Sequence, residues 1–145
     1  MDLKNVYDKI EDNDIKVFPC RIKNIKSVSI ETNNKYGIFI NYDEIKTSEE
    51  EFIVATHEYG HCMTGSTHPL NSPFDIISRH EYRADRKAVL DFLPIERIRE
   101  AIEYGCKMPY EFSEYLEIPE MFIRKAFEHY NAMNLIWAKK ISAPD

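Results

Sequence analysis

His57-Glu58-Tyr59-Gly60-His61 is the most informative segment of this 145-residue chain. Residues four apart on a helix lie on the same face, so His57 and His61 can both direct an imidazole nitrogen at one ion. Glu58 is turned away from that pair and can exchange a proton with a water molecule at the metal. A helix with this HExxH spacing predicts a zinc site with a general base beside it.

The residues around this segment predict a helix over residues 49–64. Thr47 and Ser48 can each cap its first turn, because a Glu stands three residues after each of them and completes a capping box. Gly65 suits the left-handed conformation that ends many helices. Gly60, inside the helix, costs about 1 kcal/mol of helix propensity relative to Ala. We therefore expect another element to approach closely at Gly60.

The third ligand of the predicted zinc site lies outside this helix. A catalytic zinc usually has three protein ligands and one position open to water. Glu81 is the preferred candidate, because Glu81 and Asp85 share one face of a predicted helix over residues 79–92. Asp85 can then accept a hydrogen bond from a ligand imidazole and fix its tautomer. His68 is an alternative ligand, whereas His80 belongs to a different face of its helix.

The chain before the HExxH helix predicts a short helix and a small sheet. Residues 3–10 are the predicted helix, and residues 15–22 and 28–30 carry β-branched residues typical of strands. Residues 36–42 form the strongest predicted strand, after a turn at residues 33–35. Together with the zinc-site helices, these elements predict an α+β fold.

The strand that contains Ile38, Phe39 and Ile40 has two interpretations. At an edge of the sheet it would accept an extended substrate as an additional strand, through main-chain hydrogen bonds. In the middle of the sheet it would be an ordinary core strand. The sequence favours neither interpretation over the other.

A change of pattern near Pro94 divides the chain into a predicted core, residues 1–94, and a helical tail, residues 95–145. The predicted helices of the tail cover residues 95–104, 110–116 and 120–139. The last two are spaced like a helix-turn-helix, but five basic residues between positions 107 and 140 are matched by five glutamates. Because a DNA-reading helix needs a basic surface, we expect the tail to dock a protein rather than nucleic acid.

The composition and charge of the chain indicate where the protein is located and which partners it can bind. The formal net charge is −6, which argues against binding through nucleic-acid phosphates. No apolar run approaches the ~20 residues that span a bilayer, and the first residues lack a secretory pattern, so we expect a cytoplasmic protein without membrane partners. Cys20, Cys62 and Cys106 are expected to be reduced thiols, with Cys62 turned away from the histidine face.

The HExxH segment, the polar loop after it and residues 81–88 followed by Leu93-Pro94 together resemble the ImmA/IrrE family of bacterial and phage zinc metallopeptidases. The resemblance covers residues 35–94 well and the rest of the chain in outline. It implies a gluzincin-like fold, in which a small sheet packs on two crossed helices with one zinc ion between them. It also places Glu81 with the two histidines on the ligand positions and Glu58 on the catalytic position.

This resemblance implies a metalloendopeptidase whose usual substrate is a helix-turn-helix repressor of a prophage or mobile element. The alternative is a zinc-binding regulatory module that acts on a repressor or on DNA without proteolysis. Tyr59 replaces the Leu or Ile of many relatives, and it either packs in the core or borders the cleft. The group that stabilises the oxyanion stays open among Tyr59, His68, Arg79, His80 and Tyr82.

Overall fold

The computed structural model describes residues 2–65 and 74–133, and of residues 74–76 only the backbone. Within these residues the fold is α+β, with one three-stranded sheet and six α-helices, which confirms the predicted fold class. The elements in chain order are α1 (Leu3–Asp12), β1 (Ile15–Pro19), β2 (Ser27–Thr32), β3 (Lys35–Ile40), α2 (Ser48–Thr64), α3 (Phe74–Phe92), α4 (Ile95–Tyr104), α5 (Pro109–Leu116) and α6 (Glu120–Ala132).

The chain divides into two compact units, and the division falls between Ala88 and Val89, inside α3. The first unit contains α1, the sheet, α2 and most of α3, and the second contains the end of α3 with α4, α5 and α6. The sequence-based division after residue 94 lies just beyond the end of the same helix. None of the helices described here is long and apolar enough to cross a membrane.

The sheet has the strand order β1-β3-β2. β3 runs parallel to β1 and antiparallel to β2, so that Ile38 is opposite Val17 on one side and Ser29 on the other. The interpretation of Ile38, Phe39 and Ile40 as a substrate-binding edge is therefore wrong, because both sides of β3 are already paired. β3 is the central strand, and in the described parts of the chain the two edges belong to β1 and β2.

A tight turn joins β2 to β3 and sets their register. Asn33 and Asn34 both have positive φ, 53° and 62°. Two consecutive left-handed residues are the requirement of the two-residue hairpin turns that match the twist of the strands, and Asn tolerates that conformation well. The turn predicted at residues 33–35 lies at this position.

The core of the first unit forms where α1 and one face of the sheet meet α2. The side chains that are buried there are Val6, Ile10, Ile15, Ile38, Ile40, Phe52, Ala55 and Tyr59. α1 is also held by a hydrogen bond, in which the Tyr7 hydroxyl donates to Glu51 Oε2 at 2.6 Å. Burial of this apolar face orients α2, because a helix keeps one stripe toward the core and leaves its other faces accessible.

The second unit is a small helical cluster around buried aromatic residues. The rings of Phe112 and Phe127 meet edge to face, with their centroids 5.2 Å apart. The Tyr130 hydroxyl donates to the Leu93 carbonyl oxygen at 2.8 Å. Glu117, whose φ is 56°, caps the end of α5, and α6 begins three residues later. The predicted extension of α6 toward residue 139 lies outside the described residues.

Candidate metal centre

α2 begins and ends as its sequence predicts. Thr47 is the N-cap, and its hydroxyl oxygen accepts the backbone N–H of Glu50 at 3.1 Å. Gly65 ends the helix with φ of 62°, in the left-handed region that glycine adopts without steric cost. Between these caps the regular helical repeat places His57 and His61 on one face.

α2 and α3 touch through their backbones at Gly60. A Cβ atom on Gly60 would overlap the carbonyl oxygen of Ala84 and would lie 2.9 Å from the Ala84 Cα. Ala84 and Ala88 are both buried, so small side chains on α3 permit the approach. The expectation of a close contact at Gly60 is confirmed, and this contact brings the face of α3 that carries Glu81 against the histidines.

Three polar side chains converge beside this crossing. His57 Nε2 lies 2.7 Å from Glu81 Oε2, and His61 Nε2 lies 3.1 Å from Glu81 Oε1. The two Nε2 atoms lie 3.1 Å from each other. Ligands at 2.0–2.1 Å from a tetrahedral ion stand roughly 3.4 Å apart, so the three groups lie slightly closer together here than a bound ion would hold them. His57, His61 and Glu81 could together hold a metal ion.

Asp85 lies one turn after Glu81 and orients His57. The Nδ1 atom of His57 lies 2.9 Å from Asp85 Oδ1 and can donate a hydrogen bond to it. A proton held on Nδ1 would leave the lone pair of Nε2 available to a metal ion. Burial lowers the pKa of His57, but the hydrogen bond to Asp85 and the negative charge of Glu81 outweigh it, and the net pKa is raised. Protons therefore compete with a metal ion for Nε2 up to a higher pH than at an ordinary histidine.

Glu58 lies beside the three ligand groups and is only 6% exposed. The Ser27 hydroxyl, at the start of β2, donates to Glu58 Oε2 at 2.6 Å. The negative charge of Glu58 is one of the causes that raise the pKa of His57. The role of Ser27 was not predictable, because nothing in a lone serine 31 residues before Glu58 signals the contact.

Of the residues that the structure describes, the others that the sequence suggested for the site are not part of the converging group of His57, His61 and Glu81. Tyr59 is 2% exposed and belongs to the buried side of α2. Cys62 is buried, and burial together with the charge of Glu58 raises its pKa to about 12, so its thiol stays protonated. His80 lies on α3 outside the converging group, and His68 lies outside the described residues.

The assignment of Glu81 as third ligand yields a direct prediction. We expect Glu81→Ala to lower zinc affinity at least about 100-fold, because two histidines alone leave the ion with too few protein donors. Zinc retained after dialysis, measured by elemental analysis, reports the loss. Glu49→Ala, which removes an exposed carboxylate from the first turn of α2, should retain zinc. Full zinc in Glu81→Ala together with zinc loss in His68→Ala would assign the third position to His68 instead.

Comparison of the chain with protein-family models, with curated proteins and with solved structures gives no match.

Proposed function

We propose that this protein is a cytoplasmic zinc-dependent metalloendopeptidase of the ImmA/IrrE type. The observation that supports it most directly is the convergence of His57, His61 and Glu81 beside a buried carboxylate, Glu58. Two imidazoles and one carboxylate are the ligand set of several zinc peptidases, and they leave the fourth position open. A structural zinc site would instead fill all four positions with protein ligands.

The bound zinc would lower the pKa of a water molecule toward ~7 and polarise the scissile carbonyl. Glu58 accepts the proton of the attacking water on a carboxylate oxygen and then passes it to the nitrogen of the leaving amine. Ser27 would position the Glu58 carboxylate for this proton transfer, because the hydrogen bond from its hydroxyl to Oε2 restrains the rotamer of the glutamate. Asp85 keeps the proton of His57 on Nδ1, so that Nε2 stays available as a ligand.

β2 is the strand edge that an extended substrate would use. Among the residues that the structure describes, it pairs with β3 alone, and its first residue, Ser27, contacts Glu58. A peptide that adds to the other side of β2 would run past the general base, and its main-chain groups would supply affinity independent of side chains. This geometry requires a substrate segment that is locally unfolded, as in the flexible regions of a helix-turn-helix repressor.

The test is incubation of the purified, zinc-loaded protein with the helix-turn-helix proteins encoded nearest to it, and with unfolded casein as a general substrate. We expect a discrete cleavage of one repressor, identified by mass spectrometry, that a chelator abolishes and added zinc restores. Stoichiometric zinc with no cleavage of any of these proteins would overturn the peptidase proposal in favour of a zinc-binding regulator.

A further inference from the structure

The unit after residue 88 carries a surface groove of about 550 Å³ at the end of α4 and along α5. Its walls include two tyrosines, Tyr104 and Tyr115, and three glutamates, Glu111, Glu114 and Glu117. The groove lies entirely within this unit and shares no residue with the metal centre. The proposed peptidase mechanism gives it no role.

The two tyrosines form an exposed aromatic stack. Their rings stack with centroids 4.4 Å apart and planes inclined by 24°. Tyr104 is 73% exposed and Tyr115 is 41% exposed. Exposed aromatic rings held against each other present a rigid, electron-rich surface, which attracts a cation and stacks well against a planar one.

The glutamates supply negative charge beside these rings. Glu111 is partly engaged, because its Oε1 accepts the backbone N–H of Met108 at 2.9 Å and caps α5. Glu114 and Glu117 form no salt bridge with any residue in the described ranges, 2–65 and 74–133. Residues 89–133 contain nine acidic and five basic residues, so the surrounding field is negative as well. A nucleic-acid phosphate would be repelled here, and a cation would be attracted.

We propose that this groove binds an arginine side chain of a flexible, basic segment of a partner protein. The guanidinium group stacks on the outer face of the Tyr104 ring, the more exposed of the two, and donates hydrogen bonds to Glu114 and Glu117. Arginine suits both halves of the groove, because its planar group stacks on aromatic rings and its fork of N–H donors matches carboxylates. A lysine ammonium is more strongly hydrated and cannot stack, so it binds less well. This proposal stands whether or not the protein is a peptidase.

The test uses the full-length, zinc-loaded protein with tyrosine rings labelled for NMR. The probe is a short capped peptide of alternating glycine and arginine, compared with matched peptides in which lysine or uncharged citrulline replaces arginine. We expect the arginine peptide to shift the Tyr104 and Tyr115 signals saturably, the lysine peptide to bind roughly three- to tenfold more weakly, and the citrulline peptide to show no binding.

Variants assign the binding to the groove. We expect Tyr104→Ala and Glu114→Gln each to weaken arginine-peptide binding roughly three- to tenfold, and Tyr104→Phe to preserve it. Tyr110→Ala, which removes an exposed tyrosine of α5 outside the groove, should leave binding unchanged. Thermal unfolding checks that each variant is folded. Three results would overturn the proposal. They are equal binding of the citrulline and arginine peptides, a loss of binding in Tyr110→Ala equal to that in Tyr104→Ala, and the absence of a saturable shift at roughly 10 mM arginine peptide. That concentration is roughly the weakest binding that charge and stacking alone would give.

Discussion

The Glu58→Gln variant will bind zinc with unchanged stoichiometry and lose hydrolytic activity by a factor of roughly 10² to 10⁴, the range expected when a positioned general base is removed. Glutamine has the size of glutamate, and its amide oxygen can still accept the hydrogen bond from Ser27. It cannot accept a proton from water near neutral pH. The substitution thus separates the proton-transfer step from metal binding and from folding.

The measurement pairs the rate of zinc-dependent cleavage with elemental analysis of the same preparation. Glu49→Gln is the matched control, because it makes the same chemical change at an exposed position in the first turn of α2. That variant should keep both zinc and activity. Near-wild-type cleavage by Glu58→Gln would mean that another group takes the proton, and the role assigned to Glu58 would have to be abandoned.

The Gly60→Ala variant will be destabilised by up to about 2 kcal/mol, although alanine is the better helix former. The gain in helix propensity is about 1 kcal/mol, whereas overpacking in a closely packed interior costs about 1–3 kcal/mol and occasionally more. Here the obstructing atoms belong to the backbone of Ala84, which cannot rotate away as a side chain could. The overlap therefore outweighs the propensity.

Urea unfolding of Gly60→Ala, compared with Gly37→Ala, measures this effect. A Cβ on Gly37 would make an ordinary contact of 3.4 Å with the ring of Phe18, so stability there should be unchanged or slightly higher. Zinc affinity should also fall in Gly60→Ala but not in Gly37→Ala. In Gly60→Ala, α3 carries Glu81 and Asp85 and must shift away from α2. Equal urea midpoints of unfolding for Gly60→Ala and Gly37→Ala would contradict the backbone contact between α2 and α3.

The parts of the structure that depend on neighbouring residues were predictable from the sequence. α4 begins at Ile95 and ends at Tyr104, the bounds expected from Pro94 before it and Gly105 after it. The common face of His57 and His61 follows from the helical repeat alone. The glycine within the HExxH segment also indicated the close contact with α3, because its cost in helix propensity needed a compensating reason.

The parts that depend on distant residues were not predictable. Whether Ile38–Ile40 lie at an edge or in the centre of the sheet is decided by the parallel pairing of β3 with β1, and strand composition does not encode it. The bond from Ser27 to Glu58 joins residues 31 positions apart and rests on the placement of β2 over α2. The first turn of α3, from Phe74, was also missed, since the prediction began that helix at residue 79.

The contact between Gly60 and Ala84 also constrains how this chain can evolve. A mutation that adds a side chain at position 60 can survive only after α2 and α3 have moved apart, and that movement would separate His57 from Asp85. Position 60 should therefore stay glycine, and position 84 should stay small, among descendants that keep the site. A glycine at the fourth place of HExxH, paired with a small residue three positions after the ligand glutamate, becomes a search pattern for distant homologues.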